Sequence, residues 1–386
     1  MKIIYLQNSN EHHAYLMDVF HRMGNELSIY QIADSEEQIL KAFGEGKLDL
    51  LAQEMKAGKS DAVFGVGYSA CIAELCHSLN LIYISWMLTP PFSEVYSATV
   101  IYPTNRIFVA DKYIADLFNM QGIANIFYLP VGVNIEKCHQ VGTCYPEAEL
   151  WDAAVADTIS QKGWHELFRT DKLKDSTLGY LEGILTCQNL IYGYDFYQRP
   201  MPGYVLEDLK RNSAIVLPHD SVENISDYYA DQCFYPKTTE KDRVIGVKTL
   251  EKGGMSTHYF SDQPIEGENL IQHSPVSLEE RLKVYPRTKI NLCIAPRGIR
   301  DGLCESLLYA MAMGAFVITD YKPQVTEELN PDENVIVYED LQDLLNKVKY
   351  FFTHDEERTK IAENARVKIE QEHTIEHRIE FILKKL

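Results

Sequence analysis

At 386 residues the chain exceeds one ordinary core and fits two domains of roughly 150–200 residues each. Its 46% hydrophobic and 24% charged residues exclude extended disorder, and a formal net charge of −19 excludes nucleic acid or an anionic membrane as the main partner, since both reward a basic face. The opening MKIIYLQNSNEHH has too short an apolar run for a signal peptide, and no stretch approaches the ~20 apolar residues of a membrane span.

Short apolar runs alternate with amphipathic stretches over residues 1–134. Residues 1–6 read as a buried strand, 37–57 carry helical periodicity, 61–67 (DAVFGVG) form a second buried strand, 70–79 a helix and 81–86 a strand. A strand at 106–110 (RIFVA), a helix over 112–120 and a strand at 125–129 complete this half. YLPVGVN, at 128–134, puts Pro and then Gly directly after a strand, a chain-redirecting hinge signal. Residues 135–235 are rich in Tyr with mixed helical patterns, and 151–159 fits either helix or strand. From Lys237 the alternation returns: helix 239–251, strand 255–260, helix 278–284, strand 289–295, loop 296–302, helix 303–313 and strand 315–319. A strand at 334–337 then precedes helices over 341–352, 356–370 and 374–383. Strands alternating with helices of this length imply βαβ units and parallel sheets. The fold class is therefore α/β: two Rossmann-like, doubly wound domains in series, with ligands expected at carboxyl strand ends and in the cleft between the domains.

In so acidic a chain, a phosphate site must concentrate positive charge locally. Lys289–Tyr321 (KINLCIAPRGIRDGLCESLLYAMAMGAFVITDY) delivers a buried strand to a loop with two glycines and two arginines, then to a helix. The free amides and partial positive charge of a helix start make an anion site, and Arg297 and Arg300 stand where they could pair with phosphate oxygens. The same residues equally fit an ordinary strand–helix connection with solvated arginines. Gly314 permits a tight helix exit.

The C-terminal part of the chain resembles the spore-maturation-type (CgeB-like) bacterial glycosyltransferases, a branch of the GT-B nucleotide-sugar transferases. The matching stretches are KTTEKDRVIGVKTL, TKINLCIAPRGI, MGAFVITDYKPQVTEEL, ENVIVYEDLQDLLNKVKYFFTHDEERTKIAENARVKI and HTIEHRIEFIL. Upstream, ISWMLTPPF, RIFVADKYIADLF and NIFYLPVGVN are similar to the same family's N-terminal domain. The resemblance implies a GT-B fold: an acceptor domain at 1–134, a donor domain at 135–370 with a helical or irregular insert at about 140–235, and a helix at 371–386 packing back on the first domain. It also implies transfer from a nucleotide-diphosphate sugar to an acceptor, without a tightly bound metal or other cofactor. The departures from the family pattern are Thr89 and Tyr309, where relatives carry acids, and Ser306, where they carry arginine. AVADTIS likewise lacks the family's strand motif. These departures define a second reading, a catalytically impaired GT-B-like subunit that binds a partner transferase or acceptor.

On this expectation the donor contacts are Arg297, Gly298, Arg300, Asp301, Gly302, Leu303, Glu305 and Tyr309, with Lys237 and Arg243 adding positive potential. Glu305 lies one turn before Tyr309 and either takes over the ribose contact, with Asp301 helping, or is a solvated first-turn acid. Thr238 or Thr239 is read as the cap of the helix after Lys237. His12 and His13 are candidate bases for the acceptor, or exposed helix-start residues; Asp111 is a ligand at a strand end, or the cap of the following helix. The eight cysteines contain no CxxC pair; Cys71 and Cys293 read as buried thiols, and Cys138, His139 and Cys144 lack a second pair at zinc-ligand spacing. His373 and His377 read as a surface helix pair. The compartment expected is the cytoplasm.

Overall fold

The apolar run after the first residue forms β1 (Lys2–Gln7), the first strand of the computed structural model. The structure describes residues 1–142, 150–169, 172–191, 194–218 and 220–386. α1 (His13–Arg22) leads to β2 (Glu26–Gln31), and α2 (Glu36–Gly44) and α3 (Asp49–Lys56) lead to β3 (Ala62–Val66). α4 (Ala70–Ser78), β4 (Ile82–Met87), β5 (Asn105–Val109), α5 (Lys112–Met120) and β6 (Ile126–Tyr128) follow. All pairings are parallel, in the order β2-β1-β3-β4-β5-β6. The inner strands are nearly continuous apolar sequences, as a sheet covered on both faces requires. Tyr5, Phe20 and Phe64 pack ring against ring beneath it, with centroids 5.0 to 6.2 Å apart.

The helical stretch 37–57 is two helices instead of one. Gly46 takes a left-handed φ of +73° between them, and GEGK interrupts the apolar period.

In the second unit, α6 (Ile135–Gly142) precedes β7 (Trp151–Ile159). The next stretch is helical: α7 (Trp164–Phe168), α8 (Asp175–Leu190), α9 (Gly203–Asn212) and α10 (Ile225–Tyr229). These helices build their own core from Trp164, Phe168, Leu181, Leu185, Val205 and Tyr229, among others. A π-turn over Ala230–Phe234 then opens into α11 (Tyr235–Lys252). β8 (Thr257–Ser261), β9 (Leu270–His273), α12 (Leu278–Val284), β10 (Thr288–Cys293), α13 (Glu305–Ala312) and β11 (Val317–Asp320) continue the alternation. α14 (Pro323–Leu329), β12 (Ile336–Tyr338), α15 (Leu341–Phe352) and α16 (Asp355–Glu372) end it. The second sheet is again all parallel, ordered β12-β11-β10-β7-β8-β9. The stretch 151–159 is a central strand: Ala153, Ala154 and Val155 are buried between β10 and β8.

The two compact units are Met1–Gly132 with Pro218–Glu223 and Ile375–Leu386, and Val133–Leu217 with Asn224–Thr374. The last helix, α17 (Ile375–Leu383), thus belongs to the first unit. There Glu376 accepts from Tyr15 (3.0 Å) and pairs with Arg22 (2.8 Å) on α1. A Cβ on Gly132 would lie 2.6 Å from the Ile375 Cα, so only glycine admits this approach of α17. No helix among the described residues is long and apolar enough to cross a membrane.

His373 and His377 do not share a helix. α16 ends at Glu372 and α17 starts at Ile375, and His373 is buried in the second unit, its carbonyl accepting from Val133 N at 2.9 Å. Cys293 is buried, whereas Cys71 is half-buried; His139 is exposed beside Glu370, and Cys144 lies outside the described residues.

Candidate functional site

Because the second sheet is parallel, its carboxyl ends share one edge. There β7 presents Asp157, β10 runs into the loop 294–304, and α13 begins at Glu305. The helix therefore starts two residues later than the sequence suggested. Leu303 and the N-cap Cys304, the latter extended, precede it, both buried. Cys304 carries a thiol in place of the usual capping oxygen, a weak acceptor for the first-turn amides of α13. Burial pushes the Cys304 thiol up to about 11, which keeps it protonated near neutrality.

The loop is clamped from several sides. Ala295 N donates to Asp320 (2.9 Å) at the end of β11, Arg297 N donates to Thr239 Oγ1 (2.8 Å) on α11, and Lys322 Nζ donates to the Ile299 carbonyl (2.5 Å). Asp301 accepts from Gln324 N (2.9 Å), so it serves the first turn of α14. Gly298 and Gly302 are buried within the loop.

The arginines are engaged by carboxylates, carbonyls and a ring of the protein itself. Arg297 Nε donates to Asp242, a buried acid of α11 that also accepts from Asn189 (2.7 Å). Burial pushes the Asp242 carboxyl up from its ordinary value, with Arg297 opposing. Arg300 lies over the Tyr235 ring, 5.9 Å from its centroid, beside the insert. Arg243 donates to the carbonyls of Thr158 (2.8 Å) and Ile294 (3.3 Å), and stands 3.7 Å from Asp157. Lys237 is inside α11, bonded to the Lys162 carbonyl (2.5 Å) and Glu240 (2.7 Å). Neither Thr238 nor Thr239 caps that helix. It begins at Tyr235, and both hydroxyls donate back to carbonyls one turn earlier, Phe234 and Tyr235. Glu305 pairs with Arg281 at 2.8 Å. Tyr309 is buried, its hydroxyl accepting from Asn134 N at 3.3 Å, and Ser306 is buried near Cys304 (3.5 Å).

Sequence reasoning passed over Arg281 and Asp157. Arg281, on α12, joins Asp157 (3.1 Å) to Glu305 (2.8 Å), which puts its guanidinium against the first residue of α13. Asp157 was legible only as the last acid of a stretch whose strand character was open. Arg281 was hidden in SLEERLKVY, an ordinary amphipathic run whose capping box, Ser277 with Glu280, is the conspicuous feature.

In the first unit, His13 is buried with both ring nitrogens engaged: Nδ1 with Tyr5 Oη (2.8 Å) and Nε2 with Asn8 Oδ1 (2.7 Å). Burial first, then neighbouring His12, push it down to about 4, so the ring is neutral. His12 is also buried, at the N-cap of α1, with its own amide donating to Asn10 (3.0 Å). Neither histidine is an exposed helix-start residue. Asp111 is buried and caps α5 through Tyr113 N (3.2 Å). Thr89 is exposed in the loop after β4.

Two units, each a parallel six-stranded sheet flanked by helices, are the architecture of the GT-B glycosyltransferases. Residues 240–384 match the family model described as glycosyl transferase-like, and this stretch contains Arg281, the loop 294–304 and α13. No curated protein sequence matches the chain significantly. A glycosyltransferase from Rickettsia africae ESF-5 is similar in structure with a TM-score of 0.52 at 10% identity, over 99% of this chain and 97% of that one. The UDP-forming α,α-trehalose-phosphate synthase of Burkholderia vietnamiensis gives 0.52 at 10% identity, over 100% and 99%. Anabaena Alr3699/HepE, in complex with UDP and glucose, gives 0.50 at 11% identity over the whole of both chains. At such identities the likeness is one of fold.

Proposed function

We propose that this chain transfers a sugar from a nucleotide-diphosphate donor to an acceptor, with the diphosphate held against the first turn of α13. The observation that carries this reading is a helix start at the carboxyl edge of a parallel sheet, with Arg281 paired to its first residue, Arg297 in the loop before it and Arg243 bonded to that loop's Ile294 carbonyl. The UDP found with one structural neighbour, and the UDP-forming reaction of another, support the donor class. The stretches shared with CgeB-like transferases support that branch.

In the transfer, the acceptor oxygen bonds to the anomeric carbon. The bond from that carbon to the diphosphate oxygen breaks with its electron pair, and the acceptor proton passes to a base. Helix amides and guanidinium groups then stabilise the charge that builds on the leaving diphosphate, so the step needs no metal ion. His12 is the base we assign, since His13 is neutral with both nitrogens bonded and Asp111 is committed as a cap. Arg297, Arg300 and Arg243, with Lys237 behind them, set the positive potential of the corner. Gly298, Gly302 and Leu303 shape its backbone, and Asp301 orders it. Free cysteines, most of them buried, support a cytoplasmic setting.

The test is a thermal-shift panel of UDP, GDP, TDP and CMP. A shift selective for one nucleoside diphosphate is expected; no shift with any of them sinks the reading. A second reading, a GT-B-like subunit that binds a partner transferase or acceptor without transferring, is favoured by Tyr309, which stands buried on Asn134 where relatives offer a carboxylate to the ribose. Donor hydrolysis or transfer by the isolated protein disposes of it.

A further inference from the structure

Arg281 lies between two carboxylates that differ in how firmly they are rooted. Its NH1 donates to Asp157 Oδ1 (3.1 Å) and its NH2 to Glu305 Oε2 (2.8 Å). Asp157 belongs to the central strand β7, is 7% exposed, and also faces Arg243 across 3.7 Å. Glu305 is the first residue of α13, where a side chain can turn outward without breaking a helical hydrogen bond. Two arginines and two acids leave this cluster formally neutral. A diphosphate brought to it needs guanidinium charge that a protein carboxylate already holds, and in a half-buried corner that competition is strong.

Glu305 also occupies a particular place. A carboxylate on the first turn of a helix, paired with a neighbouring arginine, puts negative charge near the helix's positive end and takes up the guanidinium that a phosphate oxygen would use there. We propose that the Glu305 carboxylate is a built-in stand-in for the donor's diphosphate: it holds Arg281 until a diphosphate binds and is then displaced. The inference rests on the donor reading above and adds a gate to it. Asp157 keeps one side of the Arg281 fork fixed throughout, so the guanidinium stays aimed while its second partner is exchanged. The exchange favours ligands with the charge of a diphosphate over nucleoside monophosphates, which offer less in return for the ion pair they break.

Calorimetric titration of UDP and of inorganic pyrophosphate into the full-length protein and Glu305→Gln tests this. Glu305→Gln keeps the shape and helical position of the side chain and removes its charge, and its unfolding midpoint verifies the fold. The expected result is tighter binding of both ligands, on the order of tenfold. An Arg281→Lys background, which keeps the charge and loses the two-pronged fork, shrinks that gain. Unchanged or weaker binding of both ligands by Glu305→Gln overturns the proposal. So does a loss confined to UDP, which assigns Glu305 to the ribose instead. If the unaltered protein binds UDP but the gain is missing, only the stand-in fails; if neither protein binds either ligand, the donor reading fails with it.

Discussion

Arg281 shows how a residue's role follows from its partners more than from its type. Replacing it by alanine leaves Asp157, a buried carboxylate of β7, with Arg243 at 3.7 Å as its remaining ion-pair partner, and a poorly compensated buried charge is among the costlier defects a fold can carry. Arg281→Ala should therefore lose about 3 kcal/mol of stability, read from urea midpoints, in addition to any loss of ligand binding. His13 makes a pH prediction. Its folded value of about 4, set by burial first and by His12 second with Asp34 opposing, lies below the ~6.5 of an unfolded imidazole. The unfolded chain binds more protons between those values, so the stability His13 contributes is whole above about 6.5 and is lost as the pH falls toward about 4, on the order of 3 kcal/mol in all. Urea midpoints at pH 7 and 4.5 should lie closer together in His13→Gln than in the unaltered protein. His258, pushed down to about 4 by burial, His273 and Arg287, titrates in the same direction and keeps part of the difference.

At the scale of elements, the inner strands were legible because both faces are covered and the sequences are apolar throughout. β2 and β9 were not: each is an edge strand, ELSIYQ and LIQH, with half-exposed and polar positions that carry no buried run. β7 was ambiguous for the opposite reason. Its alanines favour helix in isolation, and only pairing with β10 and β8 makes a strand of them. The helical insert hid its order because its core is assembled from residues far apart in sequence, Trp164 and Phe168 against Tyr229 and Phe234. Phe168→Ala should open a cavity costing about 3 kcal/mol or more within the insert. Limited proteolysis should then cut residues 160–235 before either sheet, whereas equal susceptibility everywhere would mean the insert has no core of its own. Gly132→Ala forces a Cβ to 2.6 Å from the Ile375 backbone, so α17 must shift or release, at about 1–3 kcal/mol. Hydrogen exchange should show protection lost over 375–383 first.

For the whole molecule, a ligand that binds only the folded state stabilises it by mass action. UDP at a hundred times its Kd should add about 2.7 kcal/mol, and the increased exchange protection should concentrate at residues 281–312. Protection confined to the insert would move the donor elsewhere.

By itself the sequence determined two α/β units built on parallel sheets, and the strand–loop–helix corner at Lys289–Ala312. Apolar periodicity and helix-start chemistry are local properties, readable from neighbours along the chain. The tertiary structure alone decided which side chains the corner's charges face. Arg297 turned to Asp242, 55 positions away, Arg243 to the carbonyls of Thr158 and Ile294, and Arg281 bridged Asp157 and Glu305, 124 and 24 positions off. A buried guanidinium takes whichever carboxylate or carbonyl the folded backbone brings within 3 Å or so, and that distance is set by packing between elements, not by spacing along the chain.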